Sequence, residues 1–502
     1  MSKNKFTRSL AGVAMIATVG AGLLVATPAR ATAPAVTINI WTFGDVIEPA
    51  LLRAYKVIHP EVTIALKKAD LDPSMTNLTT SCSAYVQSHH LGSPPDIAAV
   101  EVSYSGYWRA YPQCFTDMRT LSTSAANANA QSLVPSSSNI AAGLSATDIK
   151  NNYLAWRWAQ GTGYNDSVIG IPTDVGGLEV AYRTDLFKKA GLPTDRAKVS
   201  ALWPTWDKFI AVGKQYMTKV SAADKKKGVG FIDNVGTIYA ASMNQGTYKY
   251  YNNNGTDAGQ LVYKVQGNAP VYDPKTKAQK IDPKTKKPMF KKDWVLNPNI
   301  TKAWDYTIKA DNAGIGTRIG QYTSDWNIGM TKGTFATILA PAWMMDYIKG
   351  QAPTTSGKWN IASLPGGGGN QGGTQLTIPK WAAHPQEAWD FINWYLAPQQ
   401  QLTVFKTYGL FPSTKVIYND PALTGFKDPF FTNAPVGSIY LTGIQKLQPI
   451  FEGKLERAID QAIGAGLGRV AAKKQTSLQS QIQVMIDLDK ASGFDVLIVK
   501  TR

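Results

Sequence analysis

The stretch Ile171–Pro193 reads IPTDVGGLEVAYRTDLFKKAGLP, and its proline and glycine residues indicate where the chain is divided. An apolar run over Leu178–Tyr182 predicts a strand, because such runs form buried strands. The pattern over Leu186–Ala190 predicts a helix that is capped by Thr184 or Asp185 and stopped by the glycine that follows. The stretch carries no catalytic motif. We interpret it as the place where the backbone first passes from one lobe to another.

Strands alternate with helices before this stretch. Ala35–Trp41, Val62–Leu66 and Asp96–Val102 predict strands, and Glu48–Ile58 and Asn77–His90 predict helices. A chain of 502 residues is too long for one ordinary core, so two lobes are expected. This alternation predicts an α/β fold with an open sheet, in which ligands bind beyond the carboxyl ends of the strands.

The rest of the chain continues the α/β pattern and ends in helices. Residues 121–147 predict a loop or weak helices. The further predicted strands are Gly228–Ile232, Thr334–Leu339, Trp359–Leu364 and Thr374–Ile378, and the further predicted helices are Asp207–Met217, Ile238–Gly246, Asn299–Ala313, Gln386–Leu396, Lys446–Ile463 and Leu478–Asp489.

Residues 1–31 have the three regions of a secretory signal peptide: a basic start, an apolar run over Leu10–Ala26 and an Ala-Arg-Ala cleavage site ending at Ala31. No lipobox cysteine stands near that site. We therefore expect an exported, soluble protein, periplasmic or extracellular. Removing the segment takes away four basic residues and no acid, so the net charge falls from +17 to +13.

Many of the remaining positive charges lie in a lysine-rich insert, residues 264–292, with the near-repeat YDPKTKAQKIDPKTKKP. Such a run indicates a solvated hairpin or loop rather than a nucleic-acid-binding arm in an exported protein. An anionic ligand or an envelope surface remains open as its partner.

Two cysteines, Cys82 and Cys114, predict a disulfide in an oxidising compartment. The four histidines have no ligand spacing, so neither a metal nor a cofactor is expected. G-x-S-x-G, H-E-x-x-H, Walker and G-x-G-x-x-G signatures are missing. The run Gly366–Gly369 lacks the lysine of a phosphate loop and is interpreted as a flexible surface turn. Paired carboxylates for glycoside hydrolysis are not excluded, because their spacing is set in space.

Aromatic and acidic residues at the ends of strands indicate a sugar site. An aromatic face covers the apolar face of a sugar ring, and acids and amides bind its hydroxyls. Trp41 and Trp343 stand at strand-to-turn junctions, where core and ligand roles are both open. Asp45 and Glu101 either cap the following helices or bind ligand. Four further tryptophans on helices are expected in the core: Trp108, Trp206, Trp389 and Trp394.

Five segments, in order, carry a family resemblance. They are INIWTFGD at 38–45, GSPPDIAAVEVSYSGYW at 92–108, the stretch from Ile169 to Pro193, WNIGMTKGTFATILAPAWMMDYI at 326–348, and WNIASLPGGGGNQGGTQLTIPKWAAHPQEAWDFINWYL at 359–396. The sequence resembles the extracellular solute-binding proteins of ABC sugar importers, family 1, the maltose-binding-protein-like group. The resemblance spans nearly all of the chain after the signal peptide.

The resemblance implies a set of ligand-binding positions. They are Phe43, Asp45, Glu101, Tyr104, Asp174, Asn244 and Trp343, the last as a sugar-stacking platform, with Tyr239, Gly373 and Phe451 in addition. Three features depart from the family pattern: Arg183 follows Tyr182 where Asn is usual, Ala-Thr-Ile stands before Trp343 where Ala-Met is common, and residues 245–298 are longer.

The resemblance also implies a periplasmic-binding-protein type II fold, with two discontinuous lobes joined by hinge crossings. The first lobe would take residues 32–172 and 373–398, and the second residues 173–372 and 399–502. Ile171–Val175 would be the first crossing, with Asp174 placed where both lobes reach a ligand. Ligand would be enclosed by hinge closure.

We therefore predict a monomeric, non-enzymatic substrate-binding receptor that captures a sugar or oligosaccharide and delivers it to ABC permease subunits, without nucleic acid. Two alternatives remain. The charge of +13 suggests an anionic solute such as a sugar phosphate, and the unassigned carboxylates suggest a secreted carbohydrate-active enzyme.

Overall fold

The computed structural model describes residues 34–89, 94–124, 144–252, 260–271, 273, 279–447 and 450–492. The predicted signal peptide and most of the predicted loop at 121–147 lie outside these residues. Of the helices in these ranges, none is long and apolar enough to cross a membrane.

The strands of the described part are β1 Val36–Phe43, β2 Val62–Ala69, β3 Ile97–Glu101, β4 Gly170–Pro172, β5 Asp174–Val175, β6 Leu178–Arg183, β7 Gly230–Ile232, β8 Tyr251–Asn252, β9 Gln260–Leu261, β10 Lys264–Pro270, β11 Phe290–Leu296, β12 Phe335–Pro341, β13 Trp359–Ala362, β14 Thr374–Thr377 and β15 Phe411–Pro412. Its α-helices are α1 Pro49–Ile58, α2 Leu71–Ser88, α3 Ser105–Arg109, α4 Ala146–Ile149, α5 Ala155–Gln160, α6 Thr184–Lys189, α7 Arg196–Leu202, α8 Trp206–Lys219, α9 Ala222–Lys226, α10 Gly236–Met243, α11 Pro298–Asn312, α12 Ser324–Lys332, α13 Met344–Gln351, α14 Pro385–Tyr395, α15 Pro398–Tyr408, α16 Pro421–Thr424, α17 Val436–Gln445, α18 Glu456–Ala471 and α19 Ser477–Ala491.

The first sheet has the strand order β2-β1-β3-β14-β4. β1 pairs in parallel with both β2 and β3, so the carboxyl ends of these strands meet at one edge. Ile38 and Ile40 of β1 are fully buried and their neighbours are not, as the alternation in the sequence predicts. β14 pairs antiparallel with β3 and β4. Since β14 follows the second sheet in the chain, two separate parts of the sequence build the first lobe.

The second sheet has the order β13-β6-β12-β7. Every residue of β6 and β12 is buried, which is typical of strands covered on both faces. Successive residues of β12 enter different cores: Ile338 packs in one with Trp326, and Leu339 packs in the other with Phe231. Burial on both faces therefore explains why the sequences of β6 and β12 are continuous apolar runs rather than alternating patterns.

The crossings between the sheets run side by side. β5 pairs with β15, and Gly177 forms a bridge with Asn370. A Cβ on Gly176 would lie 1.9 Å from the carbonyl oxygen of Gln371, so only glycine allows this approach. The predicted crossing at Ile171–Val175 overlaps the end of β4 in the first sheet and includes β5, which precedes β6 of the second sheet. The exact lobe limits at residues 172, 372 and 398 remain a proposal.

Several local predictions are confirmed. Trp108, Trp206, Trp389 and Trp394 are at most 3% exposed. The helix predicted at Asp207–Met217 is α8, and Thr205 caps it by accepting from the Lys208 amide at 3.3 Å. The insert forms the antiparallel hairpin β10–β11. The structure also joins Cys82 on α2 to Cys114, with Cα atoms 5.4 Å apart.

Other local predictions are wrong. α2 begins at Leu71 rather than Asn77, because Pro73 lies in the first turn, where proline is tolerated. The helix predicted at Lys446–Ile463 begins only at Glu456, as α18, and α17 ends at Gln445, just before the predicted range.

The cap of α6 and the glycine run also differ from the predictions. Arg183 holds the cap position of α6, because the Asp185 carboxylate accepts from its guanidinium at 2.8 and 2.7 Å instead of capping. In the glycine run, Gly368 and Gly369 are buried, and a Cβ on Gly368 would lie 2.4 Å from the carbonyl oxygen of Gly443.

Candidate ligand-binding cleft

A cleft of about 1750 Å³ lies between the two lobes at the carboxyl ends of β1 and β3. The first lobe contributes the ends of these strands and the start of α2. The second contributes α10, the start of α13 and one face of α18, and the crossing segment 370–374 runs between them. This is the position at which open α/β sheets bind ligands.

The structure brings eight of the eleven predicted ligand positions to this cleft. They are Phe43, Asp45, Glu101, Asp174, Tyr239, Asn244, Trp343 and Gly373.

Trp41, Tyr104 and Phe451 do not line the cleft. Trp41 lies two residues before the end of β1, and at about 3.3 Å per residue this sets it back from the edge, beneath the Lys67 ammonium at 4.7 Å. The Tyr104 hydroxyl donates to Asp72 at 2.7 Å, so this ring stands behind a residue that does line the cleft. Phe451 packs 5.9 Å from the ring of Tyr251 instead.

Trp343 is held in place by the crossing beneath it. It follows β12 directly, is half-buried, and its indole Nε1 donates to the carbonyl oxygen of Gln371 at 3.2 Å. Gly372 adopts φ +77, and a Cβ there would lie 3.3 Å from this nitrogen. The glycine therefore lets the backbone pass close to the ring and fixes its edge.

Glu101 both caps a turn and lines the cleft, so the two alternatives for it do not compete. Its carboxylate accepts from the Ser103 amide at 2.8 Å and also contacts the Ser103 hydroxyl. Burial raises the pKa of Glu101 to about 7, although both hydrogen bonds from Ser103 lower it.

Asp174 fastens the first crossing to the second. Its Oδ1 accepts from the Thr173 hydroxyl at 2.6 Å and from the Thr374 amide at 2.8 Å. Burial raises the pKa of Asp174, and the charge of Arg157 opposes this. The buried Arg157 also donates to the carbonyl oxygens of Asp174 at 2.9 Å and Thr374 at 2.7 Å. The two crossings thus form one hydrogen-bonded unit.

Asp45 and Asn244 mark opposite sides of the cleft. Asp45 is exposed and pairs with Lys68 at 2.7 Å. Asn244 lines the cleft, and its side-chain amide donates to the carbonyl oxygen of Asn370 at 2.7 Å.

A buried charge cluster on the second-lobe wall escaped the sequence reasoning. Lys249 lies 3.1 Å from Glu456 and 3.9 Å from Glu452. The Tyr250 hydroxyl donates to Asp460 at 2.6 Å. Glu452, Glu456 and Asp460 recur every four residues in the sequence, and this spacing was the available signal. Glu456 and Asp460 share one face of α18, and Glu452 precedes the helix.

Burial sets the electrostatics of this cluster. It raises the pKa of Glu452 and of Glu456, and the charge of Lys249 opposes both shifts. Burial alone would lower the pKa of Lys249, but Glu456, Asp460 and Glu452 outweigh it and raise that pKa above its ordinary value.

Comparison with known proteins assigns the family. Residues 92–432 match the profile of the bacterial extracellular solute-binding proteins, which is more than half of the chain. The chain belongs to this family. Among solved structures, a family 1 extracellular solute-binding protein is 29% identical, with a TM-score of 0.68, over 91% of this chain and 99% of that one. The two-lobed periplasmic-binding-protein fold is therefore established.

Two curated relatives of this solute-binding protein bind sugars by name. The lactose-binding protein of Rhizobium radiobacter is 25% identical over 234 residues, 45% of this chain and 44% of that protein. The arabinooligosaccharide-binding protein of Bacillus subtilis (strain 168) is 23% identical over 298 residues, 57% of this chain and 59% of that protein. The chain thus spans about half the length of the curated relatives it matches.

The cleft of this solute-binding protein is rich in carboxylates. Ten acidic residues line it: Asp45, Asp70, Asp72, Glu101, Asp174, Asp311, Asp346, Glu452, Glu456 and Asp460. Three basic residues do so, and each pairs with one of these acids: Lys68 with Asp45, Lys249 with Glu456, and Arg457 with Asp72 at 3.0 Å. No cation on this lining is left over to neutralise an anionic ligand, within the residues that the structure describes.

Metal binding would need converging ligand side chains. Within the described ranges, no three His, Cys, Asp or Glu side chains converge in this way.

Proposed function

We propose that this solute-binding protein is the receptor of an ABC importer and captures a sugar or oligosaccharide between its lobes. The observation that carries the proposal is the fixed, half-buried face of Trp343 beside carboxylate and amide groups in one interlobe cleft. The names of the curated relatives point the same way, since both bind sugars.

The chemistry of the cleft suits a neutral, hydroxyl-rich ligand. The ring of Trp343 can cover the apolar face of a sugar, and Tyr239 and Phe43 add further aromatic surface. Carboxylates such as Asp45 and Glu101 accept hydrogen bonds from hydroxyls, and Asn244 can both donate and accept. A cleft of about 1750 Å³ also has room for more than one sugar ring.

Delivery requires the closed form to be recognised. The paired crossings leave the lobes joined by short backbone segments, which can absorb a hinge rotation. The ligand must bind the closed form more tightly than the open one, because equal affinity would shift nothing. We propose that the closed form engages membrane permease subunits, that the protein acts as an exported monomer cleaved after Ala31, and that nucleic acid has no part.

The two alternatives receive less support. An anionic solute would need free cations, whereas the three bases of the cleft are already paired. A carbohydrate-active enzyme is not favoured, because the family and its sugar-binding relatives are binding proteins.

The test is calorimetric titration of the purified protein with a panel of mono- and oligosaccharides, sugar phosphates and amino acids. We expect heat and a raised melting temperature with at least one neutral carbohydrate. A response confined to a non-carbohydrate class would refute the sugar assignment, and steady release of cleaved glycan would instead establish an enzyme.

A further inference from the structure

The lysine-rich hairpin, residues 264–296, is set apart from the cleft. Its described residues, 264–271, 273 and 279–296, comprise β10, β11 and part of the segment between them, and none of these residues lines the cleft. Residues 264–292 contain nine lysines and two acids, a net charge of +7 within a chain of +17. More than a third of the net charge of the chain is therefore concentrated in this one segment.

Hydrogen bonds hold residues 279–292 of the hairpin, which we call the tip. The Lys280 amide donates to the Val271 carbonyl oxygen at 2.8 Å, and the Met289 amide donates to the Lys280 carbonyl oxygen at 2.9 Å. The Asp282 carboxylate accepts from the amides of Lys284 and Thr285, both at 2.8 Å. The one acid of the turn at residues 282–287 is thus occupied in holding that turn.

The lysines of the tip face solvent. Six of them are exposed: Lys280, Lys284, Lys286, Lys287, Lys291 and Lys292. Lys291 pairs with Asp293 at 2.6 Å. Among the described residues, no carboxylate lies within ion-pair distance of Lys284, Lys286 or Lys287.

Apolar side chains are exposed among these lysines. Ile281, Met289 and Phe290 are 50%, 37% and 56% exposed. They account for three of the eleven large hydrophobic side chains exposed in the described part of the chain, and they fall within ten residues. Exposed apolar side chains within a strongly basic segment are typical of segments that lie in the interface of an anionic membrane.

We propose that this hairpin docks on an anionic lipid bilayer, with the lysines against the headgroups and Ile281, Met289 and Phe290 inserted between them. Each lysine near an anionic surface adds favourable electrostatic free energy to binding, and insertion removes the apolar side chains from water. A protein partner fits less well, because lysine is depleted and arginine enriched in protein interfaces, and the tip contains no arginine. Docking would concentrate the receptor at the membrane while leaving its cleft open, whatever solute it binds.

The test is sedimentation with vesicles of phosphatidylglycerol or of phosphatidylcholine, using the chain without residues 1–31 so that the signal peptide does not contribute. We expect binding to the anionic vesicles alone, weakening as sodium chloride rises from 0.05 to about 0.5 M. The triple variant Lys284→Gln, Lys286→Gln, Lys287→Gln should bind roughly a hundredfold more weakly.

The matched control removes the same charge elsewhere. Lys225, Lys226 and Lys227 are consecutive and exposed on the second lobe, at and just after the end of α9. Changing all three to glutamine should alter vesicle binding less than threefold. Equal loss in both triple variants would overturn the proposal, because net charge rather than the hairpin would then govern binding.

The apolar residues separate a bilayer from a soluble polyanion. Met289→Ser with Phe290→Ser should weaken vesicle binding roughly tenfold and leave binding to soluble polyphosphate unchanged. Polyphosphate binding as tight as vesicle binding, with no effect of the serine variants, would overturn the lipid assignment. Binding only to vesicles that contain membrane protein would overturn it in favour of a protein partner.

Discussion

The two walls of the cleft each carry a lysine–carboxylate pair, and the pairs differ in burial rather than in chemistry. On the first-lobe wall, Lys68 and Asp45 are 2.7 Å apart with side chains 50% and 65% exposed. On the second-lobe wall, Lys249 and Glu456 are 3.1 Å apart with side chains 12% and 1% exposed. Water screens the charges of the exposed pair and can solvate either partner if the other is lost. The buried pair has little access to water, so each charge depends on the other for compensation. We therefore call the first-lobe wall, with the exposed pair, adaptable, and the second-lobe wall, with the buried pair, preorganised.

The largest expected effect is on the buried pair. Lys249→Met should lower the free energy of unfolding by about 3–5 kcal/mol, because it leaves buried carboxylates without their cation. Lys68→Met, the matched change on the exposed wall, should cost about 0–1 kcal/mol. Urea unfolding at pH 7 measures both. Equal losses would show that burial does not distinguish the walls.

The pH dependence of the Lys249→Met variant sharpens this contrast. Without Lys249, burial acts unopposed and raises the pKa values of Glu452 and Glu456 further. A carboxyl group with a raised folded-state pKa stabilises the fold at low pH and loses that contribution as the pH rises. The deficit of the variant should therefore shrink from pH 8 to pH 5. A deficit that is constant over this range would contradict uncompensated charge as its cause.

A smaller effect is expected at Glu101, a half-buried residue on the otherwise adaptable wall. Its folded-state pKa of about 7 lies above the ordinary value of 4.5, so its contribution to stability is present below about pH 4.5 and is lost as the pH rises through 7. Glu101→Gln should remove a decrease on the order of 2 kcal/mol between pH 4.5 and 8. Thermal unfolding across this range measures it. Asp45→Asn is the control on the same wall, and an equal change of slope there would refute the assignment to Glu101.

Trp343 tests whether the preorganised wall binds the ligand. Trp343→Ala should weaken the affinity for the identified sugar roughly tenfold to thirtyfold, because the stacking surface is lost. Trp294, which is also half-buried but lies outside the cleft on β11, provides the control. Calorimetry measures both affinities, with circular dichroism to check folding. Unchanged affinity in Trp343→Ala would remove this residue from the site.

The smallest effect is expected where the two walls meet. Arg457 on α18 pairs with Asp72 on α2 at 3.0 Å, with side chains 35% and 59% exposed. A double-mutant cycle of Arg457→Met and Asp72→Asn should give a coupling energy of about 0.2–1 kcal/mol that falls with salt. A coupling above about 3 kcal/mol would mean that this pair behaves like the buried one.

The sequence predicted the sheets better than the second wall of the cleft. Strands such as Leu178–Tyr182 follow from local apolar patterns, which are decided by neighbouring residues. Trp343 was also identifiable, since it stands in the turn that follows a predicted strand. Lys249 and Glu456 were not, because some 200 residues of chain separate them and nothing local signals their contact. Trp41 does not line the cleft for a different reason: the strand continues two residues beyond it.

The position of β14 between β3 and β4 has a consequence for how the protein is made. β4 has no neighbour in the first sheet until Thr374–Thr377 is present, because β14 alone pairs with it. Synthesis from the amino terminus therefore delivers the whole segment 173–373 before the first sheet can be completed. Contacts between residues so far apart form slowly. The nascent first lobe should thus remain unfinished, and open to threading across a membrane, until about three-quarters of the chain has emerged.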